Sequence, residues 1–399
     1  MRVLFFSHLY PNSQRSVNCF VHRQVRALAR EGCDVQVLRP VPWSPRLMAR
    51  SEKRRQWVGI PRENVIEGVP VTYSRYPAVP RGRALGLQSY GMAVGVCRDL
   101  RRMAGEADIL HAHMVYPDGF TASFLRRALG LRIPLCVTAH GSDVRLYGVR
   151  HATAYQVARC VRRADAVITG HPEIVGLLAK MGRDDVAMIH NGMDLEEFSG
   201  WNRSSVRADL GLQEGCRVVA YVGNLNRFKD PVTFVRAVPR MIERKDCVVV
   251  LVVGDGPLRP MLEELAGELR IGQRIRFLGY RRDVARILAV ADVFVATSPV
   301  ENIWSTAMLE AMAARVPCVV TRAGTTSAHL THREHAYLVE PEDPASVADG
   351  VIDVLTDEAL ASRLRARARD LVEQSFDVNR SAQQLMALYQ RLVSESSQR

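Results

Sequence analysis

Residues 297–317 read T-S-P-V-E-N-I-W-S-T-A-M-L-E-A-M-A-A-R-V-P, and the rest of the chain can be interpreted around them. An apolar strand leads into a polar turn that contains Glu301 and Asn302. Ser305 is a good N-cap for a helix that carries Glu310, and the apolar run after that helix predicts another strand. Strand, turn, helix and strand in this order are typical of an α/β protein with a parallel sheet.

The turn and the helix start have the chemistry of a ligand site. Ligands of open parallel sheets bind at the carboxyl ends of the strands, which is where this turn is expected. The first-turn amides near Thr306 and Ala307 suit an anion, and the two carboxylates suit hydroxyl groups. A phosphorylated sugar offers both kinds of group. The alternative is an ordinary capped helix with two solvated acids, and spacing alone does not separate these interpretations.

Length and composition limit the class of protein. A chain of 399 residues is longer than one core usually fills, so two domains are expected. The eight cysteines include no C-x-x-C pair, which predicts free thiols, among them Cys247, in a reducing compartment. No uncharged apolar run reaches the ~20 residues that span a bilayer, and the first residues predict a strand instead of a signal peptide.

The net charge of +12 indicates an anionic partner, which is a nucleic acid, an acidic lipid or a phosphorylated substrate. Residues 43–83 concentrate this charge, with nine basic residues among interleaved aromatic and aliphatic ones. That composition predicts reversible attachment to an anionic membrane surface. A solvated basic loop is the alternative.

Two histidine motifs follow strands of the first half. The motif H-A-H places His111 and His113 on one face of a strand end, and T-A-H-G-S-D contains His140 and Asp143. One interpretation is an active-site cleft with neutral imidazoles as donors and acceptors. The alternatives are polar loops capped by their own side chains, and a zinc site in which two histidines combine with Asp143 or Asp118.

Two further motifs follow strands of the second half. Residues 223–229, G-N-L-N-R-F-K, precede a helix that D-P opens well. Arg227 and Lys229 lie where a phosphate would bind, although a solvated basic loop is the alternative. Gly254 begins the motif G-D-G-P, whose glycines allow the backbone to approach a ligand closely.

Taken together, the motifs resemble the retaining glycosyltransferases of family 4, whose GT-B fold has two facing Rossmann-like domains and a deep cleft between them. The matching pieces occur in the family's order and cover nearly the whole chain: H-A-H-M-V-Y-P-D-G, T-A-H-G-S-D, H-N-G-M-D-L-E-E-F, Y-V-G-N-L-N-R-F-K-D, V-V-G-D-G-P-L, F-L-G-Y and S-P-V-E-N-I-W-S-T-A-M-L-E-A-M-A. The N-terminal F-V-H-R-Q-V-R-A-L-A-R-E-G is most similar to members that build exopolysaccharide, capsule or teichuronic-acid chains.

The resemblance and a cluster of turn signals at 191–215 predict the domain organisation. We expect an N-terminal acceptor domain over 1–195, a nucleotide-sugar donor domain over 196–374, and a C-terminal helix over 375–399 that returns to the first domain. The resemblance assigns four residues to the acceptor or the cleft: His111, His113, His190 and Asn191.

The resemblance also implies how the donor is held. Lys229 would bind the diphosphate, Glu310 the ribose hydroxyls, and the amides near Thr306 and Ala307 the phosphate. No metal or other cofactor is implied, because basic side chains and helix dipoles carry the phosphate charge. The donor-binding set is Asn224, Arg227, Lys229, Gly254, Asn302, Thr306, Ala307 and Glu310.

Retention implies a reaction on one face of the sugar, in which the leaving phosphate helps to deprotonate the acceptor. His140 would line the sugar site near the reacting carbon, Asp143 would support its loop, and Glu301 would contact the donor sugar. The catalytic set is His140, Asp143, Lys229 and Glu301.

The chain departs from the family pattern in several places. Asn224 replaces the usual arginine of the phosphate loop, and Arg227 is a candidate substitute. The two acids are one position further apart than in the family (310 − 301 = 9), so the sugar contact is either Glu301 on a bulged loop or Asn302. The family's glycine-rich N-terminal loop is missing, and residues 324–327 replace its G-G-x-P-E. These differences bear on the donor sugar more than on the reaction class.

The sequence therefore predicts a metal-independent, retaining glycosyltransferase. It would move a hexose-type sugar from a nucleotide sugar to a lipid-linked glycan acceptor in cell-surface polysaccharide biosynthesis. The expected location is cytoplasmic and peripheral, on the inner face of the plasma membrane. One alternative is a degenerate GT-B protein that binds a sugar nucleotide without turnover. A nucleic-acid-binding protein is the other, and it lacks a recognition motif.

Overall fold

The computed structural model describes residues 1–12, 20–43, 57–77, 85–245, 247–300, 304–324 and 329–398. These residues form two compact units, Met1–Gly192 with Val378–Arg399, and Met193–Asp377. Each unit is a largely parallel sheet with helices on both faces. The predicted α/β class with two Rossmann-like sheets is confirmed.

The first unit has a sheet of eight described strands in the order β3-β4-β2-β1-β5-β6-β7-β8. All neighbours are parallel except β3 and β4, which form an antiparallel hairpin. The direction of winding reverses between β1 and β5, so the switch point of this sheet lies there. The strands are β1 (Arg2–Phe6), β2 (Asp34–Pro42), β3 (Glu63–Ile66), β4 (Val69–Tyr76), β5 (Ile109–His113), β6 (Leu135–Ala139), β7 (Ala166–Thr169) and β8 (Val186–Met188).

Helices cover both faces of the first sheet, and each presents an apolar stripe to it. In α1, for example, Val21, Val25 and Leu28 recur at helical spacing and are buried, and Gly32 follows its end with positive φ. The helices, numbered in chain order, are α1 (Phe20–Arg30), α2 (Leu85–Ala104), α3 (Phe120–Ala128), α4 (Ser142–Tyr147), α5 (His151–Arg163), α6 (Pro172–Lys180) and α14 (Val378–Ser397).

The helix α14 completes the core of the first unit. Its residues Leu385 and Tyr389 are buried in the cluster that covers one face of the first sheet. Gly192 lies against Val378, where an added Cβ would stand 2.1 Å from the Val378 Cα. Only glycine fits so close an approach, because Cβ atoms do not come within 3 Å of a neighbouring backbone.

The second unit has a parallel sheet of six described strands in the order β11-β10-β9-β12-β13-β14. Counted from its first strand, this is the order 3-2-1-4-5-6 of dinucleotide-binding folds, with its switch point between β9 and β12. The strands are β9 (Arg217–Val222), β10 (Val248–Val253), β11 (Ile275–Gly279), β12 (Val293–Ala296), β13 (Cys318–Thr321) and β14 (Tyr337–Val339). The helices are α7 (Arg203–Asp209), α8 (Pro231–Arg244), α9 (Arg259–Glu268), α10 (Val284–Leu288), α11 (Thr306–Ala313), α12 (Pro344–Thr356) and α13 (Glu358–Ser375).

One cysteine prediction is wrong. Cys247 forms a disulfide with Cys216 and is not a free thiol. The two residues immediately precede the parallel neighbours β10 and β9, and their Cα atoms are 4.7 Å apart. Among the described residues, the free cysteines are Cys33, Cys97, Cys136, Cys160 and Cys318.

Candidate active site

A histidine ends or follows each of five adjacent strands at the carboxyl edge of the first sheet. Sequence reasoning found three of them and missed His8 and His171. The available signal was a single histidine one or two positions after an apolar strand, repeated along the chain. In sheet order the five residues are His8, His113, His140, His171 and His190.

His111, His113 and His140 form a column of imidazoles. The ring centroids of His111 and His113 are 4.5 Å apart, and those of His113 and His140 are 5.3 Å apart. His113 Nδ1 lies 3.1 Å from His140 Nε2, and His140 Nδ1 lies 3.4 Å from the amide nitrogen of Asn191. His111 and His113 are fully buried, whereas His140 is partly exposed at the edge. Within the described part of the chain, His140 is therefore the end of the column that a ligand would reach.

His111 lies at the inner end of the column. Its Nε2 is 2.7 Å from the Thr138 hydroxyl oxygen, and its Nδ1 contacts the Tyr389 hydroxyl of α14. Both ring nitrogens are thus engaged inside the unit. The structure places His111 in the core beneath the edge. There it packs against His113 and is not exposed at the surface of the first unit.

Burial keeps this column neutral. It lowers the pKa of His111 to about 3, with a smaller contribution from His140. Burial also lowers the pKa of His140 well below its usual value, and His113, His171 and His8 lower it further. Neutral imidazoles can donate or accept a hydrogen bond, so this edge suits a neutral hydroxylated ligand better than an anion.

Asp143 fastens the loops around the column. Its carboxylate is fully buried and accepts hydrogen bonds from the backbone amides of Val115, His140 and Val144 at 2.6, 3.0 and 3.1 Å. Burial raises the pKa of Asp143 to about 6, and these amides oppose that rise. Asp143 therefore acts on the site through the loop of His140.

A second buried carboxylate, that of Asp118, binds the residue His8, which follows β1. Asp118 accepts a hydrogen bond from the His8 backbone amide at 3.1 Å and also contacts His8 Nδ1. Sequence reasoning considered Asp118 only as a zinc ligand. Within the residues that the structure describes, no group of three or more His, Cys, Asp or Glu side chains is placed to hold a metal ion, so the zinc alternative gains no support.

In the second unit, the loop 223–230 lies at the switch point between β9 and β12. The Thr297 hydroxyl donates to the Asp230 carbonyl at 2.6 Å, and the Ser298 hydroxyl donates to the Phe228 carbonyl at 2.6 Å. The Asn226 side chain accepts the amide of Lys229 at 3.1 Å. The backbone that carries Lys229 is therefore fixed by residues that follow the neighbouring strand.

Two glycines bring a second loop against the first. Gly254 has a φ of +132°, and an added Cβ would lie 1.9 Å from the Gly223 carbonyl oxygen. At Gly256 an added Cβ would lie 2.5 Å from the Leu225 carbonyl oxygen. Leu225 also donates to the Asp255 carbonyl at 3.0 Å. Any side chain at these glycines would separate the two loops, so the edge is lined by backbone.

The helix α11 begins at the same edge, after β12. Its N-cap Ser305 makes no side-chain capping hydrogen bond, and the first-turn residue Thr306 is exposed. The amides of this turn are therefore available to an anion. Glu310 lies one turn further along and is buried to 8% exposure.

Several predicted positions cannot be placed. Glu301 and Asn302 lie outside the described residues, as do 16–18 and 325–327. Asn224 and Arg227 are exposed on the loop that carries Lys229, and Ala307 is partly buried beside Thr306. Each unit thus gathers its own predicted residues at the carboxyl edge of its own sheet.

Comparisons with known proteins agree with this description. The profile of the family described as Glycosyltransferase Family 4 matches residues 17–197, and that of Glycosyl transferases group 1 matches residues 216–357. An uncharacterized glycosyltransferase of Methanocaldococcus jannaschii is 30% identical over 300 residues, which are 71% of this chain and 75% of the relative.

Two further relatives cover nearly the whole chain. A putative teichuronic acid biosynthesis glycosyltransferase of Bacillus subtilis is 27% identical over 402 residues, which are 99% of this chain and 100% of the relative. HepE of Anabaena, crystallised in complex with UDP-glucose, matches 98% of this chain and 100% of its own with a TM-score of 0.72. Its sequence identity of 18% supports the shared fold alone.

Proposed function

The chain belongs to glycosyltransferase family 4, and from this premise we propose that it moves a hexose-type sugar from a nucleotide sugar to a lipid-linked glycan acceptor with retention of configuration. The similarity to a teichuronic acid glycosyltransferase over the whole chain supports a role in cell-surface polysaccharide biosynthesis.

The observation that carries the proposal is the edge of the second sheet. A loop with Lys229, a second loop with Gly254 and the open first turn of α11 all lie beside the β9–β12 switch point. Backbone amides, a helix N-terminus and an ammonium group are the usual partners of a diphosphate. We assign the diphosphate to this edge.

The donor-binding residues fall into two groups, one for the phosphates and one for the ribose and the sugar. Lys229 and the amides of Thr306 and Ala307 hold the phosphates. Asn224 occupies the position of the family's arginine, and Arg227 on the same loop takes over the role of that arginine. Glu310, buried one turn into α11, accepts hydrogen bonds from the ribose hydroxyls. Glu301 or Asn302 contacts the donor sugar.

The edge of the first unit would receive sugar hydroxyls. His140 is the accessible end of a neutral imidazole column, and Asp143 holds its loop. His113 supports His140 from within the unit. His190 and Asn191 follow β8, two strands away from β6, and the Asn191 side-chain amide lies 3.4 Å from His140 Nδ1.

The bond that breaks joins the anomeric carbon to the diphosphate oxygen, and the new bond to the acceptor oxygen forms on the same face. The acceptor proton passes to the departing phosphate. Lys229 and the start of α11 stabilise the negative charge that develops on this phosphate, so no metal is required.

We further propose that the protein acts in the cytoplasm at the inner face of the plasma membrane, where a lipid-linked acceptor presents its reactive end. The stretch 43–83 supports this through its basic and aromatic composition, although residues 44–56 and 78–84 lie outside the described part. In the part of the chain that the structure describes, no helix is both long and apolar enough to cross a bilayer.

A donor screen tests the proposal. UDP-, GDP- and ADP-hexoses are incubated with the protein, without added metal and with EDTA, and NMR follows the anomeric signal of the released or transferred sugar. We expect turnover of one donor class with the starting anomeric configuration. An inverted product would overturn retention, and tight donor binding without turnover would favour the degenerate GT-B alternative.

A further inference from the structure

Three helices of the first unit form one continuous outer surface. The Thr121 hydroxyl of α3 donates to the Ser89 carbonyl of α2 at 3.1 Å, and the Gln156 amide of α5 donates to the Gly86 carbonyl of α2 at 2.8 Å. An added Cβ at Gly86 would lie 2.6 Å from the Ala152 carbonyl oxygen, so α2 and α5 are in close contact. We call the outward face of these helices the α2–α3–α5 surface.

One half of this surface is apolar and exposed. Leu87 and Val94 stand on one stripe of α2 with exposed fractions of 58% and 75%. Between them, Tyr90 packs edge-on against Phe124 of α3, with ring centroids 5.4 Å apart. Tyr155 of α5 is 61% exposed. Exposed large apolar side chains that cluster in this way mark an interaction site more often than a solvated surface.

The other half is basic. The stripe of α2 continues from Val94 into arginines, and α3 and α5 end in arginines as well. Within the described chain none of them makes an ion pair with a carboxylate. The arginines are Arg98, Arg101, Arg102, Arg127, Arg159, Arg162 and Arg163.

Acidic groups are nearly missing from the same helices. The sequences of α2, α3 and α5 contain one acidic residue, Asp99, which is buried and bound by the Ser74 hydroxyl and by Arg62. Three of these arginines, Arg127, Arg162 and Arg163, help to line a groove of about 950 Å³, whose lining also includes Asp165, Asp185 and Glu395. This groove is large enough for phosphate headgroups.

We propose that the α2–α3–α5 surface docks on an anionic lipid bilayer, with its apolar half inserted at the interface and its arginines on phosphate headgroups. The pairing of apolar groups with an unbalanced positive charge is what an acidic bilayer complements. A second copy of the same surface would bring seven arginines against seven, and this repulsion opposes self-association.

The orientation of the helices gives this docking a direction. The helix α2 begins after the carboxyl end of β4 and runs back towards the start of β5. Its apolar residues are therefore nearer the edge that carries His140, and its arginines are nearer the opposite edge. Lipid binding by this surface does not depend on the proposed function, because it needs no donor. Only the link between the bilayer and a lipid-linked acceptor rests on the proposed function.

Vesicle sedimentation of the full chain tests the surface. The wild type is expected to bind vesicles containing phosphatidylglycerol, to release them at high salt, and to ignore pure phosphatidylcholine. The variant Arg98→Glu/Arg101→Glu/Arg102→Glu should lose at least about 100-fold in partitioning, because each basic residue near an acidic surface contributes about fivefold and each introduced Glu adds repulsion. Unchanged binding of this variant would overturn the proposal.

A matched control has the same charge change elsewhere. Arg236, Arg240 and Arg244 lie on one stripe of α8, where no large apolar side chain is exposed. Changing all three to Glu should reduce partitioning far less than the α2 change does. An equal loss for both variants would show that only net charge matters and would also overturn the docking surface.

The apolar half has its own variant. Leu87→Gln/Val94→Gln replaces two exposed side chains without opening the core, and should lower partitioning about tenfold. If instead the wild type is a dimer that this variant dissociates, with vesicle binding unchanged, the patch serves a protein contact. If Arg50→Glu/Arg54→Glu/Arg55→Glu abolishes binding and the α2 variants do not, the membrane contact lies in 43–83.

Donor turnover separates this proposal from the proposed function. The α2 variants should hydrolyse the donor at the wild-type rate in the absence of lipid. Loss of vesicle binding with normal donor hydrolysis supports the surface. A protein that binds vesicles as expected but turns over no donor would leave the surface standing and overturn the enzyme.

Discussion

The two sheets carry their candidate site residues at the same topological position, the carboxyl edge, but the chemistry of these residues differs. In the first unit, the edge consists of side chains, with buried neutral imidazoles stacked behind His140. In the second, it consists mainly of backbone, with loops pressed together at Gly254 and an open helix start at Thr306. Burial keeps the imidazoles of the first edge neutral. The second edge instead presents backbone amides, a helix N-terminus and Lys229, which suit an anion.

Under the proposed function, one fold used twice would divide a reaction between a neutral acceptor and an anionic donor. A doubly wound sheet supplies only the position of the site, and the residues after each strand supply its chemistry. If this difference is functional, the second edge should depend on backbone and charge, and the first on neutral histidine.

The largest effect is expected at Gly254, because the second edge has no room for a side chain there. Gly254→Ala places a Cβ 1.9 Å from the Gly223 carbonyl oxygen at a φ of +132°. Strain and displacement of the loop should destabilise the second unit by about 3 kcal/mol or more and abolish donor binding. Urea unfolding and calorimetric titration with the donor measure the two effects.

Gly267→Ala is the matched control for that change. Gly267 lies on α9 with no atom within 4 Å of an added Cβ, so the substitution should stabilise by up to about 1 kcal/mol. Similar behaviour of the two variants would show that the close loop contact is unimportant.

The next effect concerns charge at the second edge. Lys229→Ala should lower kcat/KM by about 10²- to 10³-fold, the loss typical of a charge contact to the leaving group in a transition state. Lys245 lies at the opposite end of α8 from Lys229. As the control, Lys245→Ala should change kcat/KM little. Steady-state kinetics with the donor identified by the screen decides this, and near-normal turnover of Lys229→Ala would contradict the assignment.

A smaller effect separates the ribose contact from the sugar contact. Glu310→Gln should weaken the binding of the nucleoside diphosphate and of the nucleotide sugar equally, by about 1.5–3 kcal/mol of binding free energy each. Glu301→Gln or Asn302→Ala should weaken only the nucleotide sugar. Calorimetric titration with both ligands measures this, and equal losses for both ligands at Glu301 would exchange the two roles.

The smallest effect tests the neutrality of the first edge. Because the pKa of His111 falls from 6.5 unfolded to about 3 folded, the unfolded chain binds the proton first. The contribution of neutral His111 to the free energy of unfolding is fully present above pH 6.5. As the pH falls from 6.5 towards 3, this contribution decreases by about 1.4 kcal/mol for each pH unit. His111→Gln should flatten the fall in unfolding free energy between pH 6.5 and 5.

An exposed histidine provides the comparison for that slope. His329 is exposed on the second unit, and His329→Gln serves as the comparison variant in the same unfolding series. The column would not be the source of the acid sensitivity if His111→Gln and the wild type lost stability in parallel.

Local patterns were enough to predict most elements and the motifs on them. The helix expected after G-N-L-N-R-F-K is Pro231–Arg244, and the strand expected before this motif is Arg217–Val222. These segments are strongly periodic and carry their own start signals, such as the Asp230 carboxylate, which accepts the amide of Thr233. Period and capping are local properties, so a single sequence reveals them.

The features that escaped prediction depend on which strands become neighbours. His8 and His171 were missed because each is a lone histidine until β1, β5, β6 and β7 adjoin. The same holds for Cys216 and Cys247, which are 31 residues apart in sequence but precede adjacent strands. The basic and apolar α2–α3–α5 surface likewise exists only once three separate helices form one layer.

The placement of α14 has a consequence for how the chain folds as it is made. The core around Tyr389 and His111 belongs to the first unit, yet it needs a helix that is synthesised only after the whole of Met193–Asp377. The second unit is continuous in sequence and can fold as soon as it leaves the ribosome, whereas the first must wait with one sheet face covered by α1 but not yet by α14. A nascent chain stalled before Val378 should therefore expose that apolar face to chaperones, although almost half of the protein is already native.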